Sequence, residues 1–338
     1  MTDKIKINVT SRTASIIEKD AEAFEFFKAD GISINKNAFL TQLIINYSQT
    51  FKDREDELFA YLKRTIGETS AISENKLDNL CYAIAGSINK REAAPNKEKF
   101  DCTINLKPTR QSESVINYID EYLLAGSTLS EYFRNMFSSY AALPQDEREK
   151  IIFAKEFALL ERAIEDGKKV FVTTKNMNRT RQELSPYLVT NSKEELHCYL
   201  LAKSAKRCIT VRLSRITSVT ILSERTEFDE NDLNIFGKMV KYGPQFMYGI
   251  DEGETKVELT DAGVTMFRKI YIHRPIPDRT EGNVYYFNCS YNQLTQYFER
   301  FGKEAYVEYP KRVHTEIMKF HRTAYTTYRY KSEQTGKP

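Results

Sequence analysis

Two arginines near the middle of the chain are the residues best suited to binding chemistry. Arg212 and Arg215 stand at the end of an apolar, strand-like run, and Tyr199 stands in the run before it. A guanidinium group pairs in a bidentate way with phosphates, and a ring beside it can stack on a base. In a continuous strand Arg212 would lie on the opposite face from Arg215, unless the strand ends or bulges near Ser214. The pattern predicts a surface for a phosphate backbone; the alternative is that Tyr199 and Arg215 only brace a barrel.

Further cations lie in the two loops around this region. The loop with Lys175, Arg179 and Arg181 has no acidic residue, and Lys203 belongs to the following hairpin. Cationic loops beside tyrosine rings suit a single nucleic-acid strand, because phosphates pair with the cations while bases stack on the rings. The alternative is a pair of solvated loops. The full set assigned to this candidate groove is Lys175, Arg179, Arg181, Tyr187, Tyr199, Lys203, Arg212 and Arg215.

The same region resembles the WYL domain, a small Sm- or SH3-like β-barrel of bacterial regulators that respond to ligands and nucleic acids. The resemblance rests on Cys198-Tyr199-Leu200 and on the stretches 211–216 and 182–186, which follow the family's order and spacing. The chain departs from the family where Cys198 stands for its tryptophan, Ser214 for its aspartate and Gln182 for its arginine. The resemblance implies a WYL domain over residues 146–235, including a preceding helix over residues 148–167.

The first part of the chain contains one pattern twice. Residues 4–10 and 100–107 alternate between apolar and polar side chains, as a half-buried strand does. Two helical patterns follow each strand, so the units cover residues 1–50 and 99–142, with a helical insert between them. Because one strand and two helices cannot bury a core alone, two units must pair, either within a chain or between chains. The order resembles the ribbon-helix-helix fold of small bacterial DNA-binding proteins and predicts such a head over residues 1–145.

The outward side chains of the two strands form a second candidate surface. In ribbon-helix-helix proteins these residues enter the major groove, while helix N-termini hold phosphates. The matching residues here are Lys4, Lys6, Asn8, Thr103, Asn105 and Lys107. Lysine, asparagine and threonine suit base edges, yet any exposed ribbon carries polar residues to protect its edges. Both interpretations stay open, and Asp101 argues against close phosphate contact beside it.

From residue 256 onward, strands and helices alternate as strand, helix, strand, helix, strand, helix. The stretch 297–302, followed by Ala305-Tyr306-Val307 and Pro310, resembles the extension that often follows WYL domains, a small ferredoxin-like α+β unit. The resemblance implies a dimerisation domain over residues 236–338 and a homodimer formed through it. Tyrosine is enriched at interfaces and is abundant here, although a tyrosine-rich core is the alternative. The final helix is basic and aromatic; it either touches RNA or completes the fold.

The sequence lacks the patterns of an enzyme, a metalloprotein or a membrane protein. Its four histidines are dispersed, and it contains no P-loop, GxSxG or HExxH motif. No apolar run approaches the roughly 20 residues that cross a bilayer. The five cysteines are odd in number and scattered, as in a reducing cytoplasm. We expect a cytoplasmic, non-catalytic chain without metal, cofactor or membrane contact, and the net charge of +3 leaves nucleic-acid binding to local patches.

The whole order resembles the WYL-domain accessory proteins of type VI-D CRISPR systems, whose effector is an RNA-guided RNA nuclease. The resemblance implies a protein that binds single-stranded RNA and stimulates that nuclease. One alternative is a transcriptional regulator whose ribbon binds duplex DNA while the barrel senses a ligand. Another is a protein-binding adaptor, since basic patches also bind acidic proteins. The predicted fold is α+β and multidomain, with an α-rich head, a small β-barrel and an α+β C-terminal domain.

Overall fold

The computed structural model describes residues 4–69, 73–93, 99–124, 126–175, 181–192, 194, 196–205, 207–246, 248 and 253–335. Within these residues the fold is mixed α+β, as predicted, with eleven α-helices and three antiparallel sheets. The chain divides into two compact units. The first consists of Met1–Ala158 and Leu213–Arg215, and the second of Leu159–Arg212 and Ile216–Pro338.

The first unit combines a two-stranded ribbon with helices. Its elements are β1 (Ile5–Val9), α1 (Ser11–Ala23), α2 (Lys36–Thr69), α3 (Glu74–Ala93), β2 (Cys102–Leu106), α4 (Glu113–Tyr122), α5 (Leu129–Ala142) and α6 (Gln145–Ile152), while α7 (Ala154–Glu165) spans the boundary to the second unit. β1 and β2 pair antiparallel, with Ile7 opposite Ile104. The two strands that the alternation predicts therefore exist, and they pair within one chain.

Alternation along the ribbon separates a core face from a polar face. Ile7, Val9 and Leu106 are buried, and the polar residues between them are exposed. β1 packs on α5 and β2 on α1, and the helices of this unit bury large rings that include Phe39 and Phe133. Burial of apolar area at roughly 25 cal/mol per Å² is what holds this ribbon, because two strands alone are marginal in water.

The helix predicted over residues 148–167 is two helices. α6 ends at Ile152, and Phe153 leaves the helical conformation, with φ −111° and ψ 33°, before α7 begins. The Phe153 ring packs at 6.1 Å from the rings of both Phe24 and Phe26. The prediction of one helix was wrong. Both helices have helical periodicity, and the break at Phe153 coincides with a tertiary contact that the local sequence does not indicate.

The second unit contains a five-stranded antiparallel sheet. Its strands are β3 (Lys168–Thr174), β4 (Arg181–Asn191), β5 (Cys198–Lys203), β6 (Cys208–Arg212) and β7 (Ile216–Arg225), in the spatial order β6-β5-β4-β3-β7. The chain forms a meander from β3 to β6, and β7 returns to pair with β3. The first part of β4 pairs with β3 and the second with β5, with a register shift between Pro186 and Leu188. Such an irregularity bends a strand and lets one sheet curve.

Helix α8 (Glu230–Tyr242) closes one side of this sheet. Its residues Ile235 and Phe236 share a buried cluster with Leu201 of β5. The helix begins with a capping box, in which Asp229 accepts from the backbone N of Asp232 and the Asp232 side chain accepts from the backbone N of Asp229. The same two carboxylates also form ion pairs with Lys203.

The rest of the second unit is a four-stranded sheet with helices. Its elements are β8 (Thr255–Leu259), α9 (Asp261–Lys269), β9 (Arg279–Glu281), β10 (Val284–Phe287), α10 (Tyr291–Phe298), β11 (Ala305–Tyr309) and α11 (Lys311–Thr335), and the strand order is β11-β8-β10-β9. The predicted alternation missed β9. That strand has three residues, all exposed and polar, so it carries no apolar period.

Candidate nucleic-acid interface

Arg212 and Tyr199, two residues of the candidate groove, lie on neighbouring strands. They are directly opposite each other on β6 and β5. Tyr199 is 9% exposed, and Arg212 is partly buried. The Arg212 Nη2 atom lies 3.0 Å from Nδ1 and 2.6 Å from Nε2 of His197. A cation, a phenol and an imidazole thus converge at one end of the sheet.

His197 is a site residue that the sequence analysis left out. It stands two positions before Tyr199, and residues two apart along a strand share a face. That spacing could have placed His197 beside Arg212 once the register of β5 and β6 was known. A ring nitrogen accepts a hydrogen bond from Arg212 only when the imidazole is neutral at that nitrogen.

Arg215 lies in a different setting from Arg212. β6 ends at Arg212, and Leu213–Arg215 form a 3-10 turn that belongs to the first unit. The expectation that a continuous strand places the two arginines on opposite faces therefore does not apply. Within the first unit, Arg215 Nε donates to Glu25 Oε1 at 3.0 Å, and the backbone N of Ser214 donates to buried Glu149 at 3.1 Å.

Arg181 presents its charge over an aromatic ring. Its guanidinium carbon lies 4.1 Å from the centre of the Phe171 ring, and the side chain is exposed. Lys175, at the end of β3, is also exposed. A guanidinium stacked on a ring is held in place yet keeps donors for a phosphate. Arg179 lies outside the described residues.

Lys203 and Tyr187 have partners on and before helix α8. Lys203 Nζ contacts Asp232 and lies 3.7 Å from Asp229, and the hydrogen bond to Asp232 raises the pKa of Lys203. The Tyr187 ring stacks on Phe236 with centres 4.4 Å apart and planes 6° apart. Both residues therefore help to attach α8 to the sheet, which the sequence analysis did not anticipate.

The six ribbon residues lie together on one exposed face. All of Lys4, Lys6, Asn8, Thr103, Asn105 and Lys107 are exposed. Lys6 is opposite Asn105 and Asn8 is opposite Thr103, whose hydroxyl donates to Asn8 Oδ1 at 3.0 Å. A side chain of α5 also binds the ribbon backbone, since Arg134 Nε donates to the Asn8 carbonyl at 2.7 Å. The result is a polar surface with lysines at one end.

Asp101 terminates this surface at the other end. Its carboxylate accepts from Ser11 N at 3.0 Å and Ser11 Oγ at 2.7 Å, and the Ser11 hydroxyl lowers the pKa of Asp101. The carboxylate thus occupies the N-terminus of α1, a position that otherwise suits a phosphate.

Helix α11 carries a stripe of side chains that only its first turns bury. Val313 is fully buried, whereas Phe320 is 47% and Tyr328 is 77% exposed along the same face. A groove of about 630 Å³ lies beside this exposed part. It is lined by residues of α10, its C-cap Glu299 and α11, among them Thr295, Phe320, Ala324 and Tyr328.

Two further observations concern only the described parts of the chain. In those parts, three or more histidine, cysteine, aspartate or glutamate side chains never gather in an arrangement able to hold a metal ion. Over the same ranges, every helix is too short or too polar to span a bilayer.

Comparison with known proteins gives a likeness of fold. No protein-family model matches the chain, and no curated protein matches it. A crystal structure described as that of a CRISPR Cas-related protein superimposes with a TM-score of 0.67, at 20% identity over 98% of this chain and 95% of that chain. This likeness shows a shared fold along nearly the whole length. Proteasome accessory factor B/C of Arthrobacter aurescens reaches a TM-score of 0.26 at 16% identity, over 68% of this chain and 38% of that one, which is too low to carry an argument.

Proposed function

We propose that this chain is a non-catalytic accessory protein that binds single-stranded RNA and stimulates an RNA-guided type VI-D CRISPR RNA nuclease. The observation that carries the proposal is the full-length likeness of fold to the CRISPR Cas-related protein. This likeness covers almost all of both chains, so it extends beyond a single common module. The sequence resemblance to WYL-domain accessory proteins supports the same assignment.

The strand orders support the finer fold assignments within this proposal. A meander whose last strand returns to its first, with a bend in β4, is what a small WYL-type barrel needs. The succession strand-helix-strand-strand-helix-strand from β8 to β11 is that of a ferredoxin-like unit. A ribbon flanked by paired helices suits a ribbon-helix-helix head built from one chain.

RNA would be held by two groups of residues on the barrel. Arg181 on Phe171, with Lys175 nearby in sequence, offers cations to backbone phosphates. Arg212 beside Tyr199 and His197 offers a second cation next to rings. Arg215 keeps its assignment as a phosphate ligand only if RNA displaces Glu25, because their side chains already form an ion pair.

Homodimer formation through the C-terminal domain belongs to the same proposal. The exposed part of the α11 stripe would pack against the same helix of a second chain. Such a twofold contact is self-complementary, since each copy supplies the same stripe. It would cover rings that a monomer leaves in water.

A binding titration with single-stranded RNA, single-stranded DNA and duplex DNA of matched length, across a salt series, tests the function. We expect tight binding of single-stranded RNA with little duplex affinity. Arg181→Ala and Arg212→Ala should each reduce the salt slope of RNA binding by about 0.7, the value for one lost phosphate contact on a single strand. Arg162→Ala removes an exposed arginine of α7 and is the matched control. Wild-type RNA affinity in both barrel variants would refute the assignment of the groove.

A second function is favoured by the ribbon. The residues of its polar face are exposed, as a transcriptional regulator that binds duplex DNA would require. In that case duplex DNA should bind best, and the combined change Lys4→Ala, Lys6→Ala and Asn8→Ala should abolish its binding. Failure to bind any nucleic acid would favour a protein-binding adaptor.

A further inference from the structure

The four-stranded sheet has one face covered by helices and one open face. Val257, Tyr285 and Phe287 belong to the core that α9 and α10 cover. The residues that alternate with them form two rows across the other face. One row is Tyr306, Glu258, Val284 and Glu281, and the other is Tyr309, Lys256, Tyr286 and Arg279. Tyr306 is 54% exposed, so this face is in contact with solvent.

Lys256, in the second row, is held between two carboxylates. Its Nζ contacts Glu308 and lies 3.7 Å from Glu258. The hydrogen bond to Glu308 raises the pKa of Lys256, so the ammonium stays charged. Its positive charge is thereby balanced twice within the sheet.

Arg279 shows the same arrangement at the other edge. Its Nη2 lies 3.0 Å from Glu254 Oε2, and its Nε lies 3.4 Å from Glu281. The ion pairs around Lys256 and Arg279 together contain four carboxylates and two cations, a net charge of −2. The chain as a whole carries a net charge of +3, so these two ion-pair groups have the opposite sign.

Aromatic rings on an open four-stranded sheet can serve RNA, because bases stack on them in some RNA-binding modules. Here that use is blocked. The Arg279 guanidinium lies 3.6 Å from the centre of the Tyr286 ring, which is 8% exposed, and so occupies the stacking position. The carboxylates would repel phosphates. The side chains of the open face therefore do not suit a nucleic acid, although an open four-stranded sheet can bind one.

We propose that the open face of this sheet is a docking surface for a lysine- and arginine-rich surface of another protein. Exposed carboxylates attract and orient such a partner, and electrostatic complementarity speeds association and excludes partners of the wrong charge. Tyr306 and Tyr309 supply the rigid apolar contacts that are enriched at interfaces. The protein would then bind RNA and its protein partner on surfaces of opposite charge.

A second copy of this chain is a poorer occupant of the same face. A twofold interface sets a patch against itself. Four carboxylates would then face four, and both cations are already engaged with their own acids. That the partner is the effector nuclease rests on the function proposed above; that it is a cationic protein surface does not.

The full-length protein with Glu258→Gln and Glu281→Gln tests the proposal. These changes remove two exposed charges from the first row and bring the net charge of the two ion-pair groups to zero. The matched control is Glu161→Gln with Glu165→Gln, two exposed acids of α7 in the same unit. Labelled decalysine is the probe for cationic protein, and labelled single-stranded RNA is the second ligand. Decalysine affinity should fall roughly 3- to 10-fold in the first variant and stay unchanged in the control, because each exposed charge pair contributes little.

RNA affinity and the oligomeric mass in solution should equal those of the wild type in both variants, which also verifies folding. Loss of RNA affinity in the Glu258/Glu281 variant would identify the face as an RNA platform and overturn the proposal. A changed oligomeric mass would identify a self-interface, and equal decalysine loss in the control would reduce the effect to general charge. Wild-type protein that binds decalysine as described but no RNA would contradict the proposed function alone. With a purified type VI-D effector and its guide RNA, the variant Glu258→Lys with Glu281→Lys should fail to co-purify; retention would exclude the effector as the partner.

Discussion

Replacement of Asp20 by asparagine should destabilise the first unit by about 3–5 kcal/mol, the range for breaking a buried ion pair on one side. Asp20 is 2% exposed. Its carboxylate accepts from Arg148 Nε at 2.6 Å, from Arg148 Nη2 at 2.9 Å and from the Tyr140 hydroxyl at 2.8 Å. These bonds connect α1, α5 and α6 in the interior. Neutralising Asp20 therefore weakens the contacts among three helices.

The magnitude follows from the charge that remains. Asparagine has the size of aspartate, so packing is preserved and the change is electrostatic. The Arg148 side chain is 11% exposed and cannot lose its proton, so its charge stays buried beside a neutral amide. A loss of 3 kcal/mol lowers the ratio of folded to unfolded molecules by about 100-fold, at about 1.4 kcal/mol per factor of ten.

A double substitution separates this explanation from a simple loss of contacts. Asp20→Leu with Arg148→Met removes both charges and leaves apolar side chains of similar volume. Replacement of a whole buried ion pair in this way is often neutral or stabilising. The double variant should therefore be more stable than Asp20→Asn, although it changes more atoms.

Hydrogen exchange in a urea series measures both variants. Peptides from α1, α5 and α6 should exchange at lower urea in Asp20→Asn, whereas peptides from β3 to β7 of the second unit serve as the internal reference. An Asp20→Asn protein within 1 kcal/mol of the wild type, or a double variant as unstable as the single one, would refute the reasoning.

Three further outcomes are expected. All five cysteines lie within the described residues, four of them are buried, and burial raises the pKa of the Cys208 thiol to about 12. A thiol reagent at pH 8 should therefore modify only Cys102 in the folded protein, as detected by mass spectrometry, and rapid labelling of Cys208 would contradict this. Lys203→Met should increase hydrogen exchange in α8, because it removes the ion pair with Asp232, while the salt slope of RNA binding stays constant. A slope lowered by about 0.7 would instead identify Lys203 as a phosphate ligand. Hydrogen bonds from the Ser33 side chain and from the backbone N of Ile32 and Ser33 lower the pKa of Asp30 to about 2. The ionised carboxylate therefore stabilises the 30–33 turn fully above its ordinary pKa near 3.8, and this stabilisation is lost as pH falls through about 2. Asp30→Asn should remove this pH dependence in an NMR titration, and a midpoint near 4 in the wild type would be inconsistent with these hydrogen bonds.

Strand alternation was enough to predict the ribbon and its exposed face. A period of two assigns each residue to a side without reference to the rest of the chain, which is why Lys6 and Asn105 could be placed from the sequence. The meeting of Tyr199 and Arg212 was predictable for a similar reason, because two consecutive strands pair in a hairpin.

Partners distant in sequence could not be predicted. Lys203 was assigned to the candidate groove because its neighbours in sequence are cationic, whereas its ion-pair partner Asp232 stands 29 positions later on another element. The side-chain pattern allowed two positions for Arg215, because it does not separate the 3-10 turn that follows Arg212 from one more strand residue. Local sequence reports periodicity, whereas ion-pair partners depend on how elements meet.

The presence of both ribbon strands in one polypeptide has a consequence for target choice. A ribbon made from two identical chains shows every residue twice, so its preferred sites are palindromes. Here IKINV faces CTINL, with lysines beyond one end and Asp101 beyond the other. Either half has been free to mutate without a mirrored change in its counterpart. Whatever this ribbon contacts therefore meets a surface with a direction, and an inverted repeat offers it no advantage over a single asymmetric site.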